Sequence, residues 1–249
     1  MMKQSLGIIG VGAFGEFMLK HVIPYFDVSV YDSQRDLASI NETYNLKVQS
    51  LADVCRCDIV VLCVPVNRLA DVVDEVKELV KPGQLVIDMC SVKCIPIEIL
   101  KSKLPKDVEA MSLHPLFGPQ SGKFGIHNLN VALCNINSTR VECVKNFLVK
   151  TLGLNVHETT PEMHDQEMAY VQGLTHMIAK IFTFMEIPQI HQKTKTYMLL
   201  DEMVEMIRYD SEELFNAIQR DNPYVEETKQ KFFDSVKALE ARLNKSSKV

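Results

Sequence analysis

Apolar and polar positions come in blocks along the first two thirds of the chain. Short continuous apolar runs, the pattern of strands buried on both faces, alternate with stretches that place apolar residues every three or four positions, the pattern of helices. Ile8-Ile9 closes the first run, and a helical pattern follows over 14–23. The second run, Asp27-Val28-Ser29-Val30-Tyr31, ends at Asp32. The run Asp58-Ile59-Val60-Val61-Leu62-Cys63-Val64 is stopped by Pro65. Leu69, Val72, Val73, Val76, Leu79 and Val80 then form a helical stripe over 66–80, broken by Lys81-Pro82-Gly83. Strands are expected at 84–89, 109–113, 130–134 and 155–157, with a helix over 139–152 between the last two. Strands alternating with helices predict a parallel sheet of the α/β class.

After Thr160-Pro161 the pattern changes. Thr159 or Thr160 can cap a helix with Pro161 near its first position. From there to Leu243 only helical periodicity is found, with breaks near Pro188 and at Asn222-Pro223. Two domains are therefore expected, an α/β domain over 1–160 and an all-helical domain over 161–249. The helical part carries a long apolar stripe, including Met198, Leu199, Met203, Met206 and Ile207. Such a surface is better buried against a second copy, so a homodimer built on this half is expected. Residues 245–249 are expected to be disordered.

Composition narrows the class. The chain has 249 residues, 47% apolar and 24% charged, with a formal net charge of −5. That charge argues against a general nucleic-acid binder. No apolar run reaches the roughly 18 residues that a membrane-spanning helix needs, and the N-terminus enters a strand at once with no secretory pattern. A cytoplasmic protein is expected. The seven cysteines, Cys55, Cys57, Cys63, Cys90, Cys94, Cys134 and Cys143, are odd in number and fit no zinc spacing, so buried or half-buried free thiols are expected and no metal site.

The segment after the first strand carries the first chemistry. Gly10, Gly12 and Gly15 stand in G-x-G-x-x-G spacing, after a strand, before a helix, and with an acidic residue, Asp32, at the end of the next strand. Together these read as a Rossmann-type dinucleotide site. Gly10 allows the tight turn, Gly12 lets the backbone approach a pyrophosphate, and Gly15 lets helix and strand pack closely. The backbone of Ala13 and Phe14 opens the helix whose N–H groups face the phosphates. Asp32 can accept from a ribose 2′-hydroxyl and repels a 2′-phosphate, which favours NAD. Ser33 and Arg35 nearby could serve a phosphate, so NADP stays open.

In open α/β sheets ligands bind outside the carboxyl ends of the strands. The strand at 84–89 runs into Cys90-Ser91-Val92-Lys93, and the strand at 109–113 into His114-Pro115-Leu116-Phe117-Gly118-Pro119. A dehydrogenase needs a group that takes a hydroxyl proton while hydride leaves the same carbon, and an imidazole does this at neutral pH. His114 is the candidate base, and Ser91 can hydrogen-bond the same oxygen or orient the imidazole. A loop-capping histidine and a turn serine are the alternatives.

Ser91-Val92-Lys93, His114 through Pro119, and Gln172-Gly173-Leu174-Thr175-His176 resemble the motif series of the prephenate/arogenate dehydrogenase family. The spelling Gly12-Ala13-Phe14-Gly15-Glu16-Phe17 is most similar to the plant-type arogenate branch. The resemblance runs from Gly7 to about Ala179. It implies oxidative decarboxylation of a cyclohexadienol, prephenate or arogenate, to the tyrosine precursor, with loss of the ring carboxylate as carbon dioxide. His114 then takes the ring hydroxyl proton and Ser91 contacts the same hydroxyl. Val64 and Pro65, after the buried strand, pack beside the cofactor. The resemblance also implies that Gln172 and His176, which share a helix face with Asp165, Met168, Thr175 and Ala179, point together into a cleft between the domains. His164 matches a family position with a capping or supporting role.

One departure bears on the substrate. Many bacterial prephenate enzymes carry an arginine in the late helices that pairs with the substrate side-chain carboxylate, and counting back from Pro223 that position falls near Ala217. Arg220 is one turn away and is the candidate substitute. Lys93 and Lys123 are other possible cationic contacts. Prephenate has two carboxylates and arogenate carries an ammonium, so the missing arginine weakens the case for prephenate. Two other readings stay open: a related dehydrogenase acting on a modified cyclohexadienol, and a nucleotide-binding protein that has lost catalysis. No mutase or regulatory domain is recognised, so tyrosine inhibition, where present, is expected to be competitive.

Overall fold

The computed structural model describes residues 3–246, with side chains through 244. The chain divides into two compact units, Met1–Pro161 and Glu162–Val249.

The first unit holds one eight-stranded sheet of β1 (Ser5–Ile9), β2 (Asp27–Tyr31), β3 (Lys47–Val48), β4 (Ile59–Leu62), β5 (Leu85–Asp88), β6 (Glu109–Pro115), β7 (Asn130–Asn135) and β8 (Asn155–Glu158). Their spatial order is β3-β2-β1-β4-β5-β6-β7-β8. The helices of this unit are α1 (Ala13–Val22), α2 (Ala38–Tyr44), α3 (Leu51–Val54), α4 (Val66–Val76), α5 (Cys94–Lys103) and α6 (Val141–Asn146), the last continuing into a π-type turn, Phe147–Thr151.

Central strands read as continuous apolar runs because both faces are covered. Every residue of β4 and β5 is buried. The apolar stripe of α4, with Val66, Leu69, Val73 and Val76 buried, faces the sheet as its spacing predicts. Six of the seven strand pairings are parallel. The seventh corrects the sequence expectation: β6 and β7 are antiparallel. A parallel return needs a crossover, usually a helix, and the connection over 116–129 contains turns and no helix.

This reversal decides which helices share a face. Right-handed crossovers place α1 on one face and α4 and α5 on the other. After the reversal, the same rule returns α6 to the face of α1. Side chains of α1 and α6 accordingly line one space with Leu6, Val61 and Ile87 of the sheet. No helix from this connection covers the middle strands between them.

Four elements have no counterpart in the sequence pattern: α2, α3, α5 and the two-residue edge strand β3. Three of these are seven residues or shorter, too short to establish a period. The helix α3 is set by its cap, the Ser50 hydroxyl accepting from the Asp53 N–H at 3.2 Å. The ten-residue α5 carries Pro96 in its first turn, where a missing N–H costs nothing.

The second unit consists of α7 (Pro161–Phe184), α8 (Lys195–Ile207), α9 (Glu212–Asn216), a π-type turn (Ala217–Asp221) and α10 (Val225–Ser246). Thr194 caps α8 and Ser211 caps α9, each hydroxyl accepting from the N–H three residues on. The late segment is tied to α7 by two buried amides. The Gln219 side chain donates to the Gly173 carbonyl at 2.8 Å, and that of Asn222 donates to the Asp165 carbonyl at 2.7 Å. Within α8 only Val204 is buried, and Met198, Leu199 and Met206 stay exposed. Phe233, Val236, Leu239 and Leu243 form a second exposed apolar row on α10. Of the expected terminal disorder, 245–246 instead continue the backbone of α10, and 247–249 lie outside the described residues. Among the described residues no helix is long and apolar enough to cross a membrane.

Candidate active site

The glycine loop leaves β1 where the strand order reverses, with β2 on one side and β4 on the other. Such switch points open a crevice at the carboxyl ends of the strands. Gly10 has φ +92°, and a Cβ there would lie 2.5 Å from the Cys63 carbonyl oxygen. A Cβ on Gly15 would collide with the carbonyl oxygen of Gly10. Gly12 differs, because its missing Cβ faces open space. Two glycines thus permit the turn and the packing, and the middle one leaves room for a ligand. The helix α1 starts next to it, with Gly12 as N-cap and no side-chain hydrogen bond at the cap. Ala13 and Phe14 therefore present the positive end of a helix to the same space. Val64 and Pro65 leave β4 beside the loop, with a Val64 methyl 3.0 Å from where a Gly10 Cβ would be.

Asp32 closes the loop from the end of β2. One carboxylate oxygen accepts from the Val11 N–H at 2.7 Å, and the other from Gln34 and Arg35 N–H at 2.8 and 2.9 Å. Burial alone would raise its pKa. The three N–H groups and the Arg35 charge outweigh that and hold the carboxyl below its ordinary value. The Arg35 guanidinium donates to the Val11 carbonyl and pairs with Glu16, both at 2.7 Å. Asp32 therefore fixes the loop as well as presenting an anion beside it. Ser33 is exposed.

His114 is buried near the end of β6, and Ser91 is half-buried in the segment after β5. The two strands are parallel neighbours with Asp88 opposite Ser112, so both side chains leave the sheet at one edge.

Lys93 corrects the sequence expectation. It is fully buried, and its ammonium donates to Asp88 at 2.8 Å, to the Ser112 hydroxyl at 2.7 Å and to the Leu113 carbonyl at 3.0 Å. Three N–H donors meet three protein acceptors, which leaves none for a substrate carboxylate. The Ser112 hydroxyl in turn donates to Asp88, and the other Asp88 oxygen accepts from the Cys90 N–H at 2.8 Å. The residue that sequence reasoning missed is Asp88. Its signal was a charge inside the apolar run Leu85-Val86-Ile87-Asp88-Met89, which requires a buried partner.

In the helical unit His176 is buried, with one ring nitrogen 2.9 Å from the Gln172 carbonyl and the other 3.1 Å from the Asp210 carboxylate. Its pocket is lined also by Lys180, Arg208 and Phe215. The Gln172 side chain is half-buried on the same helix. His164 is buried and lies 2.7 Å from the Asp165 carboxylate. Arg220 is exposed on the π-type turn, whose first three residues Ala217, Ile218 and Gln219 are buried. It is not among the residues lining the His176 pocket, where Lys180 and Arg208 are the cations. Lys123 is exposed, over the ring of exposed Phe124 at 5.1 Å.

Burial raises the pKa of the Cys55, Cys57, Cys63 and Cys90 thiols. Cys63 is pushed up to about 12 and Cys55 to about 11, in both cases by desolvation first and a neighbouring acidic group second. Cys143 departs from the expectation and is exposed.

Comparison with known proteins gives a family. Residues 18–156 match the model of the prephenate dehydrogenase nucleotide-binding domain, and residues 160–248 that of the prephenate dehydrogenase dimerization domain. Arogenate dehydrogenase 1, chloroplastic, of Arabidopsis thaliana is 25% identical over 97% of this chain and 39% of its own length. A probable arogenate/prephenate dehydrogenase of Methanocaldococcus jannaschii is 31% identical over 73% of this chain and 43% of its own. The chain thus spans well under half the length of these two relatives. Among solved structures, prephenate dehydrogenase from A. aeolicus in complex with hydroxyphenyl propionate and NAD+ superposes with a TM-score of 0.76 at 19% identity, covering 99% of this chain and 93% of that one. Synechocystis arogenate dehydrogenase gives 0.70 at 15% identity, over 98% and 93%. At these identities the structures show a shared fold.

The Lys93–Asp88 pair and the Asp32 carboxylate can each be tested by substitution. Lys93→Met removes the only ammonium that the buried Asp88 carboxyl meets among the described contacts and should cost about 3–5 kcal/mol in denaturant unfolding; a cost below about 1 kcal/mol would contradict the buried pair. Asp32, with its folded pKa depressed, contributes stability that is fully present above its unfolded value near 3.9 and is lost as pH falls through the lower folded value. Asp32→Asn should therefore flatten the acid limb of the stability profile, and an unaltered limb would contradict this.

Proposed function

Because the chain belongs to the prephenate dehydrogenase family, we propose that it catalyses NAD-dependent oxidative decarboxylation of prephenate or arogenate. The observation that carries this reading is the placement of an open glycine loop and the His114 strand end on the carboxyl edge of one sheet.

The residues fit a dinucleotide. Gly12 offers space for a pyrophosphate beside the start of α1. The Asp32 carboxylate favours a free ribose 2′-hydroxyl and disfavours NADP, and Arg35 is engaged with Glu16 and Val11. When bound, the nicotinamide supplies a hydride acceptor.

At the substrate ring, His114 accepts the hydroxyl proton as the carbinol carbon becomes a carbonyl. Ser91 hydrogen-bonds the same oxygen and holds it toward the imidazole. The ring carboxylate then leaves as carbon dioxide, its electron pair entering the ring, which becomes a phenol after protonation of the carbonyl oxygen. Aromatisation drives the step, so the chain needs chiefly to position base and substrate. The buried Lys93–Asp88 pair supports this by fixing both strand ends.

Gln172 and His176 are assigned to the substrate on the motif they share with the family. The mixed charges around His176, with Lys180, Arg208 and Asp210, suit a side chain carrying both a carboxylate and an ammonium. Asp210 is the observation that favours arogenate over prephenate. Exposed apolar rows on α8 and α10 support a homodimer through the helical unit.

His114→Asn should lower turnover by about 10²–10⁴-fold, the worth of a positioned general base, with NAD affinity nearly unchanged by calorimetry. Unchanged turnover would remove His114 from the mechanism.

A further inference from the structure

The face of the sheet shared by α1 and α6 holds a partly open apolar pocket of about 240 Å³. Its floor includes Val61 and Ile87, and its walls include Phe14 and Phe17 of α1 and Val144 and Phe147 of the α6 segment. It exists for a topological reason: the β6–β7 connection contributes no helix, so the middle strands lie uncovered between α1 and α6. The aromatic walls are braced edge to face, Phe17 on Phe117 at 6.3 Å and Phe26 on Phe147 at 5.2 Å between ring centres.

A cavity of about 150 Å³ lined by Leu, Ile and Phe stays dry and accepts benzene. This one is larger, is partly open to solvent, and has one polar feature that such a cavity lacks. His21 lines it, and its Nε2 is buried with no hydrogen-bond partner. An unmet buried ring nitrogen is costly. Burial, and then the Lys20 charge, lower the His21 pKa, so the ring is neutral at pH 7.

We infer that this cavity is a binding site for a small uncharged phenol, its ring among Phe14, Phe17 and Phe147 and its hydroxyl on His21 Nε2. A charged ligand would lose its hydration without gaining a partner. Benzene would fill the space and leave Nε2 unmet. A phenolic hydroxyl both donates and accepts, so it satisfies Nε2 in either neutral tautomer. The site is separate from the reaction proposed above. His114, Ser91 and Asp32 are not among its lining residues, but Phe14 lies in the first turn of α1, next to the glycine loop, and Phe117 in the loop after His114. Occupancy would therefore brace both segments.

The test is a ¹⁹F NMR titration of the full chain with 4-fluorophenol and, separately, 4-fluorotoluene. The native chain should bind the phenol saturably and about fivefold to tenfold more tightly than the toluene, one hydrogen bond's worth. His21→Leu should remove that advantage and leave 4-fluorotoluene affinity unchanged. Val144→Phe fills the space and should weaken both probes at least about tenfold; circular dichroism checks its folding, and His21→Leu decides alone where it does not fold. Absence of saturable binding, or phenol affinity unaffected by His21→Leu, would overturn the inference. So would a lipid chain extracted from the purified protein that blocks both probes.

Discussion

The buried pair between Lys93 and Asp88 is the constraint on which the sheet edge carrying Ser91 and His114 depends. Two full charges without solvent contact would be prohibitive if left incomplete. Here the ammonium has three acceptors and the carboxylate accepts from Lys93, Ser112 and the Cys90 N–H. Such a network is satisfied in one arrangement only. It joins the end of β5, the segment carrying Ser91, and the last residues of β6 before His114. A slip of either strand by one residue would turn Asp88 or Ser112 to the other face of the sheet and leave the ammonium unpaired. The register of β5 and β6 and the placement of Ser91 and His114 are thus held by the same contacts.

Local features of the site were legible in the sequence, and non-local ones were not. The glycine loop, Asp32 and the buried strands were readable because each is written in a few adjacent residues. The antiparallel β7 was not, since strand direction depends on what the connection over 116–129 fails to form. Lys93 shows the limit most clearly. Its charge and its place after a strand were visible, and they suggested a substrate contact. Its burial depends on Ser112 and Leu113, about twenty residues on. The Asp210 partner of His176 lies 34 residues away across a helical turnaround, beyond any periodicity argument. Arg220, reached by counting back from Pro223, is exposed on the π-type turn, and the cations lining the His176 pocket are Lys180 and Arg208.

The sheet has two unequal faces. On one, α4 and α5 pack together and Asp88, Ser112 and His114 lie in alternating register. On the other, α1 and α6 stand apart over an apolar floor. The first unit therefore places its polar chemistry and an apolar pocket on opposite sides of one layer. That separation lets a buried ion pair coexist with a cavity without either hydrating the other.

The most direct measurement mixes the purified chain with prephenate or arogenate, each with NAD or NADP, and follows reduced nicotinamide by its near-ultraviolet absorbance. The account predicts turnover with NAD, faster on arogenate, and release of one carbon dioxide per nicotinamide reduced. No turnover in any of the four mixtures, with NAD still bound, would contradict it.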